Sequence, residues 1–452
     1  MPNTLPRILI QPLKPAVIAG IAQKLPVLIR VQAPAAAPTE SKARKPYHLA
    51  LVIDRSGSMS GAPLIEAIRC TRHIIEQLEP NDMASLVIFD DRVQTLVAAQ
   101  PVGDRQALHL ALSRVHGGGS TNLYGGWKAG ADGLLPAAGQ AALTRVILLS
   151  DGNANVGEIT DATAMATLCA HAAERGVTTS TYGLGSHFNE DLMVEMAKRG
   201  GGNHYYGDSA SDLFEPFSAE FDFISALCAR QVRLSLAAAP QVRIRLLNDY
   251  PQRSDTPFPV VHLPDIAFGA EAWALAELEL PLALAFDGAG PLLQVAVTAS
   301  TPEGEPATFA DATLTLPAVS MAVWETVPED ALVVTRQSEL AAGKLLEQAR
   351  AAAEYGDWNT VERLLSEARR RFAEQPWVIE VLESMAELAG LMDTARFRKE
   401  ALYSSRKMSS RLSAAEEGSY QGPDTESASA SFLRRKTSQG KAQFGKPEDE
   451  KE

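Results

Sequence analysis

Leu49-Ala50-Leu51-Val52-Ile53-Asp54-Arg55-Ser56-Gly57-Ser58 decides the fold. Five consecutive apolar residues run straight into a polar, turn-forming segment. An unbroken apolar run, rather than an alternating one, marks a strand covered on both faces, as a parallel sheet requires. Just downstream, Leu64, Ile68, Thr71, Ile75 and Leu78 recur at spacings of three and four, which predicts a helix with one buried face.

The same strand–helix alternation continues outward. Strands are expected over 84–89, 93–97, 145–149, 177–182 and around 204–206. Helices are expected over about 104–115, 121–135, 161–174, 189–199 and 209–228. Alternation of this kind predicts an α/β sheet with helices on both faces, and ligands then sit beyond the carboxyl ends of the strands.

Three segments with chemistry lie at such ends. Asp54, Ser56 and Ser58 alternate after the first strand. Gly117-Gly118-Gly119-Ser120-Thr121-Asn122 opens a later helix. Val146-Ile147-Leu148-Leu149 runs into Ser150-Asp151-Gly152. Taken together, Asp-x-Ser-x-Ser, then Thr, then Asp, over residues 46–228, resembles the metal-ion-dependent adhesion site of the von Willebrand factor type A family, with all five positions filled. The resemblance implies that Ser56, Ser58 and Thr121 bind a divalent cation through their hydroxyls, with Asp54 and Asp151 acting mostly through water. Mg²⁺ is the expected ion, with Mn²⁺ or Ca²⁺ as alternatives. A small hard cation takes oxygen ligands and keeps some waters, so neutral hydroxyls leave much of its charge to attract a carboxylate from another molecule.

The resemblance also implies a non-enzymatic protein-interaction module whose partner presents an Asp or Glu. It is similar to bacterial proteins of this family related to calcium-activated chloride channels or to inter-α-trypsin inhibitor heavy chains. A regulatory or adaptor subunit of an AAA+ ATPase complex, MoxR- or chelatase-like, is the alternative. Other chemistries find no motif. Gly343-Lys344, Gly440-Lys441 and Gly445-Lys446 lack the following Ser or Thr of a phosphate loop, and neither His-Glu-x-x-His nor Gly-x-Ser-x-Gly occurs. His116 and His187 flank the loops and read as bystanders.

Around this core, residues 1–33 carry two β-type runs, and 34–46 read as an Ala/Pro-rich and then basic linker. From about 230 to 326 apolar residues alternate with polar ones, as in Val242-Arg243-Ile244-Arg245-Leu246, and Pro, Gly or Asp breaks the runs. That predicts an antiparallel β-sandwich, with the α/β domain inserted in it or flanked by it. The expected division is 1–45, 46–228, 229–330, a helical segment at 331–400 similar to tetratricopeptide repeats, and a disordered Ser-rich tail at 401–452. One such repeat cannot bury its own face, so those helices need a surface to pack on. Within the tail, Phe432-Leu433-Arg434-Arg435-Lys436-Thr437-Ser438 is a basic island that could serve as a partner motif or a phosphorylation site.

Composition sets outer limits. The chain has 452 residues and a formal net charge of −13, which argues against a general nucleic-acid or anionic-membrane binder. The three cysteines, Cys70, Cys169 and Cys228, lie far apart, which fits buried thiols in a reducing compartment. No segment is apolar for long enough to span a membrane. The apolar run from Pro15 to Ala22 follows Arg7 and Lys14 as in a leader peptide, but Lys24 and Arg30 interrupt it and Val27-Leu28-Ile29-Arg30-Val31 reads as a strand. A cytoplasmic location is the expectation.

Overall fold

Three strands open the chain: β1 (Arg7–Pro12), β2 (Val17–Ile18) and β3 (Gln23–Gln32). The structure, a computed structural model, describes residues 7–34, 46–138, 143–184, 189–207, 227–253, 259–282, 290–301, 305–309, 311–410 and 413–414. Residues 35–45 of the expected linker, residues 209–226 of the helix expected over 209–228, His187 and the basic island at 432–438 lie outside them. The chain divides into two units. One comprises Met1–Pro38, Leu227–Ala299 and Pro306–Glu452, and the other Thr39–Ala226 with Ser300–Glu305.

The second unit is the α/β one. It contains β4 (Tyr47–Asp54), α1 (Ala62–Gln77), β5 (Met83–Phe89), β6 (Val93–Pro101), α2 (Gln106–Leu112), α3 (Leu123–Leu134), β7 (Leu143–Ser150), α4 (Ala162–Glu174), β8 (Thr178–Leu184), α5 (Glu190–Arg199) and β9 (Gly201–Gly207). The sheet order is β6-β5-β4-β7-β8-β9, parallel except for the edge strand β6, which runs antiparallel to β5. The order reverses between β4 and β7, so a crevice opens beyond their carboxyl ends. Leu49 to Asp54 and all of β7 are buried, as the unbroken apolar runs require. Side chains alternate across a strand. Ala50, Val52, Val146 and Leu148 accordingly share one core with Leu123 and Trp127 of α3, Met165 of α4 and Met193 of α5. Gly126 and Gly130, one turn apart, let α3 lie close on the sheet. A Cβ at Gly126 would stand 2.3 Å from the Phe89 ring, and one at Gly130 2.6 Å from Val52.

The other unit resumes with β10 (Leu227–Ala238), so Leu227 and Cys228 belong to a strand rather than to the end of a helix. Then follow β11 (Arg243–Leu246), β12 (Gln252–Arg253), β13 (Val260–His262), β14 (Ile266–Ala267), β15 (Ala270–Leu280), β16 (Leu293–Ser300), β17 (Pro306–Thr308), β18 (Ala312–Leu314) and β19 (Ala318–Val319). One sheet runs β1-β3-β15-β11, and a second runs β12-β13-β10-β16-β17. The pairs β1–β3, β3–β15, β15–β11, β12–β13 and β13–β10 are antiparallel, and the short β19–β2 contact is parallel. The first strands of the chain therefore complete a sheet with residues some 240 positions away, Arg30 standing opposite Trp273. The period-two pattern holds in β16, where Leu293, Val295 and Val297 are buried.

The chain continues through α6 (Met321–Thr326), α7 (Ala331–Glu354), α8 (Trp358–Arg371), α9 (Pro376–Gly390) and α10 (Thr394–Ser410), and ends its described part in β20 (Ser413–Ala414). The helices do have a surface to pack on. Val333 and Leu340 of α7 bury Leu28, Trp273 and Leu275 of the sheet, and the Arg336 guanidinium lies 4.6 Å from the Trp273 ring centroid. That second cover explains why β15 is buried from Ala270 to Ala276 instead of alternating. Arg30 and Glu271, buried beside it, form an ion pair at 2.7 Å, and Gln32 donates to the same carboxylate at 2.8 Å. Asp357 caps α8 by accepting the Thr360 N–H.

The placement of the tail boundary at 401 is corrected. Helix α10 runs to Ser410, burying Phe397, Ala401, Ser405 and Met408, and β20 adds antiparallel to β15. A run rich in serine suggests disorder, but Ser405 turns its hydroxyl onto the Leu402 carbonyl at 2.9 Å and fits the core as a small residue. The cysteine reading needs a smaller correction. Cys70 and Cys169 are buried, and Cys228 is only partly so.

Candidate functional site

The five residues singled out in the sequence come together at the β4–β7 crevice. Asp54 is the last residue of β4 and Asp151 follows the last residue of β7, and the two strands are hydrogen-bonded neighbours. Asp54 and Ser56 are fully buried and Asp151 and Thr121 nearly so, whereas Ser58 is exposed, so the site opens to solvent on the Ser58 side. The Ser56 and Ser58 hydroxyl oxygens lie 3.2 Å apart. Asp54 holds this turn: its Oδ1 accepts the Ser56 N–H at 2.9 Å and its Oδ2 accepts the Ser150 hydroxyl at 2.6 Å. Ser150 Oγ in turn accepts the Gly152 N–H at 2.9 Å, which links the β4 and β7 loops through one carboxylate. Asp151 Oδ1 accepts the Asn153 N–H at 3.1 Å.

The glycine loop 117–119 is fastened to the Asp-x-Ser-x-Ser turn by backbone bonds in both directions. The Gly57 N–H donates to the Gly119 carbonyl and the Gly118 N–H to the Arg55 carbonyl, each at 2.7 Å. Arg55 also forms an ion pair with Asp90 at 2.8 Å, and the Asp90 carbonyl accepts the Asn122 N–H at 2.7 Å. Asp90 lies just past the end of β5 and escaped the sequence reading, although a carboxylate at the end of a predicted strand was a usable signal. With its neighbour Asp91 it explains the glycines. A Cβ on Gly118 would fall 1.8 Å from Asp90 Oδ2, and one on Gly119 would fall 2.6 Å from Asp91 Oδ1.

A direct test follows. Gly118→Ala is expected to cost roughly 2–4 kcal/mol in thermal or urea unfolding, because either the loop or the Arg55–Asp90 pair must give way. Gly133→Ala, on the exposed side of α3 with nothing within 4 Å of the new Cβ, is expected to be neutral or slightly stabilising. Equal effects at the two positions would contradict the close approach.

The electrostatics of the site are unbalanced. Burial pushes the Asp54 carboxyl up to about 6, and the charge of Asp151 adds to the shift, while hydrogen bonds from Ser150 and Ser56 offset part of it. No cationic side chain appears among the described groups acting on Asp54, and the nearby Arg55 is engaged by Asp90. Two carboxylates with neutral hydroxyls and no cation form a donor set with room for a positive charge. Among the described residues no cluster of three or more His, Cys, Asp or Glu could hold a metal. His116 is exposed and contributes its carbonyl to Arg55 at 3.4 Å.

Residues 48–219 match the family model of the von Willebrand factor type A domain. The protein sll0103 of Synechocystis is 28% identical over 211 residues, 47% of this chain and 49% of its own. Mouse inter alpha-trypsin inhibitor, heavy chain 4, is 31% identical over 193 residues, 40% of this chain and 20% of its own. The chain thus spans about half the length of the first of these relatives and a fifth of the second. In fold, the chain resembles the solved structure of von Willebrand factor type A from Catenulispora acidiphila, with a TM-score of 0.68, 16% identity, and coverage of 85% of this chain and 90% of that one. The likeness therefore extends beyond the α/β unit to the flanking strands and helices. Among the described residues no helix is long and apolar enough to cross a membrane.

Proposed function

From the premise that residues 48–219 form a von Willebrand factor type A domain, we propose that this protein is a metal-dependent protein-interaction module that grips an acidic side chain of a partner. Domains of this family are typically protein-interaction modules and generally not enzymes. The observation that carries the finer reading is the convergence at one sheet edge of two adjacent hydroxyls, Ser56 and Ser58, with Thr121 and the buried pair Asp54 and Asp151. Ser56, Ser58 and Thr121 would hold a small divalent cation, Mg²⁺ being the best match to neutral oxygen donors. The bound ion would supply unquenched positive charge at the open side of the crevice. Asp54 and Asp151 orient the loops and balance part of that charge, and exposed Ser58 marks where a partner carboxylate approaches.

Affinity capture with the full chain tests this reading. Wild type is expected to retain a partner in Mg²⁺ and release it in EDTA, and Asp54→Ala and Asp151→Ala are expected to abolish the Mg²⁺-dependent capture. Capture that survives both substitutions and EDTA would overturn the metal mechanism. An AAA+ ATPase as the captured protein would favour the regulatory-subunit alternative over a free-standing adaptor.

A further inference from the structure

Thr121 is held more tightly than its neighbours in the donor set, and by a residue that no motif names. The Thr121 N–H donates to Asn155 Oδ1 at 2.8 Å. The Thr121 carbonyl accepts the N–H groups of both Asn155 and Val156 at 3.2 Å. Asn155 lies four residues beyond Asp151, in the loop that follows β7. That loop therefore carries one carboxylate of the site and, a turn later, a three-bond clamp on the threonine. Thr121 is 1% exposed with this clamp in place. On the other side, Asn122 is tied by its N–H to the Asp90 carbonyl and caps α3 by accepting the Gly125 N–H at 2.9 Å.

We infer that Asn155 is a positioning residue for the metal site, fixing the backbone of Thr121 so that its loop and the Asp151 loop present one preset donor set; this rests on the metal reading above. Partners that orient metal ligands without touching the ion typically change metal affinity by 10–100-fold when removed. The acceptor oxygen matters here, not the amide as a whole, because the side-chain bond uses Oδ1 alone.

The test uses the full chain, titrated with Mn²⁺ as a spectroscopic stand-in for Mg²⁺. Asn155→Ala is expected to weaken Mn²⁺ binding by about 10–100-fold. Asn155→Asp keeps the acceptor and is expected to restore wild-type affinity or better. Because Asp also adds charge, the double variant Asn153→Asp/Asn155→Ala carries that charge without the acceptor and is expected to stay weak. Wild-type affinity for Asn155→Ala while Thr121→Ala loses Mn²⁺ would overturn the positioning role and leave the metal reading standing. Failure of Asn155→Asp to restore binding, or recovery in the double variant, would also overturn it. If Thr121→Ala itself binds like wild type, the donor assignment underneath has failed and the inference falls with it.

Discussion

Asp54→Asn is expected to raise the melting temperature of the metal-free protein at pH 7.5 and to remove its response to Mg²⁺. The folded chain pulls the Asp54 carboxyl up to about 6, chiefly through burial, against an ordinary value of 3.8. Between those values the folded state binds more protons than the unfolded one, so stability falls as pH rises. The penalty is absent below about pH 4, grows through pH 6 and is complete above it. At 1.36 kcal/mol per unit it is bounded by roughly 3 kcal/mol. Asparagine is neutral throughout this range. Its Oδ1 can still accept the Ser56 N–H, and its Nδ2 can donate to Ser150 Oγ. Thermal unfolding in EDTA should therefore show the variant several degrees above wild type at pH 7.5, by about 2–4 °C per kcal/mol for a unit of this size. The gap should close toward pH 4. In excess Mg²⁺ the wild type should gain stability by mass action and the variant should not. Coincident curves in EDTA at pH 7.5 would show that Asp54 carries no electrostatic penalty.

Truncation after residue 402 is expected to be strongly destabilising, whereas truncation after 414 should leave the melting curve close to wild type. The shorter chain loses buried Tyr403, Ser405 and Met408. Asn248, itself buried, bridges two elements: its Oδ1 accepts the Leu275 N–H at 2.7 Å, and its Nδ2 donates to the Ser409 carbonyl at 2.6 Å. Removing Ser409 leaves that amide donor without its carbonyl, and removing β20 strips the pairing opposite Ala270 and Glu271. A buried Met alone is worth about 2–5 kcal/mol, so a loss of at least 5 °C is expected in differential scanning calorimetry. An unchanged curve for the 402 truncation would mean that α10 beyond Leu402 contributes nothing to the fold.

These cases show what was legible in the sequence. Leu49 to Ile53 announced a doubly covered strand because both faces had to be apolar, and Asp54 to Ser58 announced a loop because nothing there could be buried without a partner. The order of loops around Thr121 and Asp151 followed from strand–helix alternation alone. Three things were not legible. Asn155 acts through contacts set by tertiary approach and stands at no motif spacing. Ser405 and Ser409 looked like solvated tail, although Phe397, Ala401 and Met408 keep a helical spacing that those serines disguise. The continuous burial of Ala270 to Ala276 comes from Val333 and Leu340, which cover the face of β15 that a two-sheet reading leaves open, whereas Glu277 to Leu280 alternate as period two predicts.

The pairing of β3 with β15 also dictates an order of assembly. Arg30 meets Trp273 only after 242 further residues have emerged, and the chain between them includes Thr39–Ala226, nearly all of the α/β unit. Loop closure over that distance is costly and slow when the intervening chain is loose. Once the α/β unit has collapsed, it no longer acts as a long flexible tether. During synthesis the hairpin of β1 and β3 must therefore wait, its outer edge unpaired, until the inserted unit is complete and β15 arrives. The consecutive apolar residues Val27, Leu28 and Ile29 on that waiting β3 edge make it a stretch of the nascent chain in need of protection from pairing with a stranger.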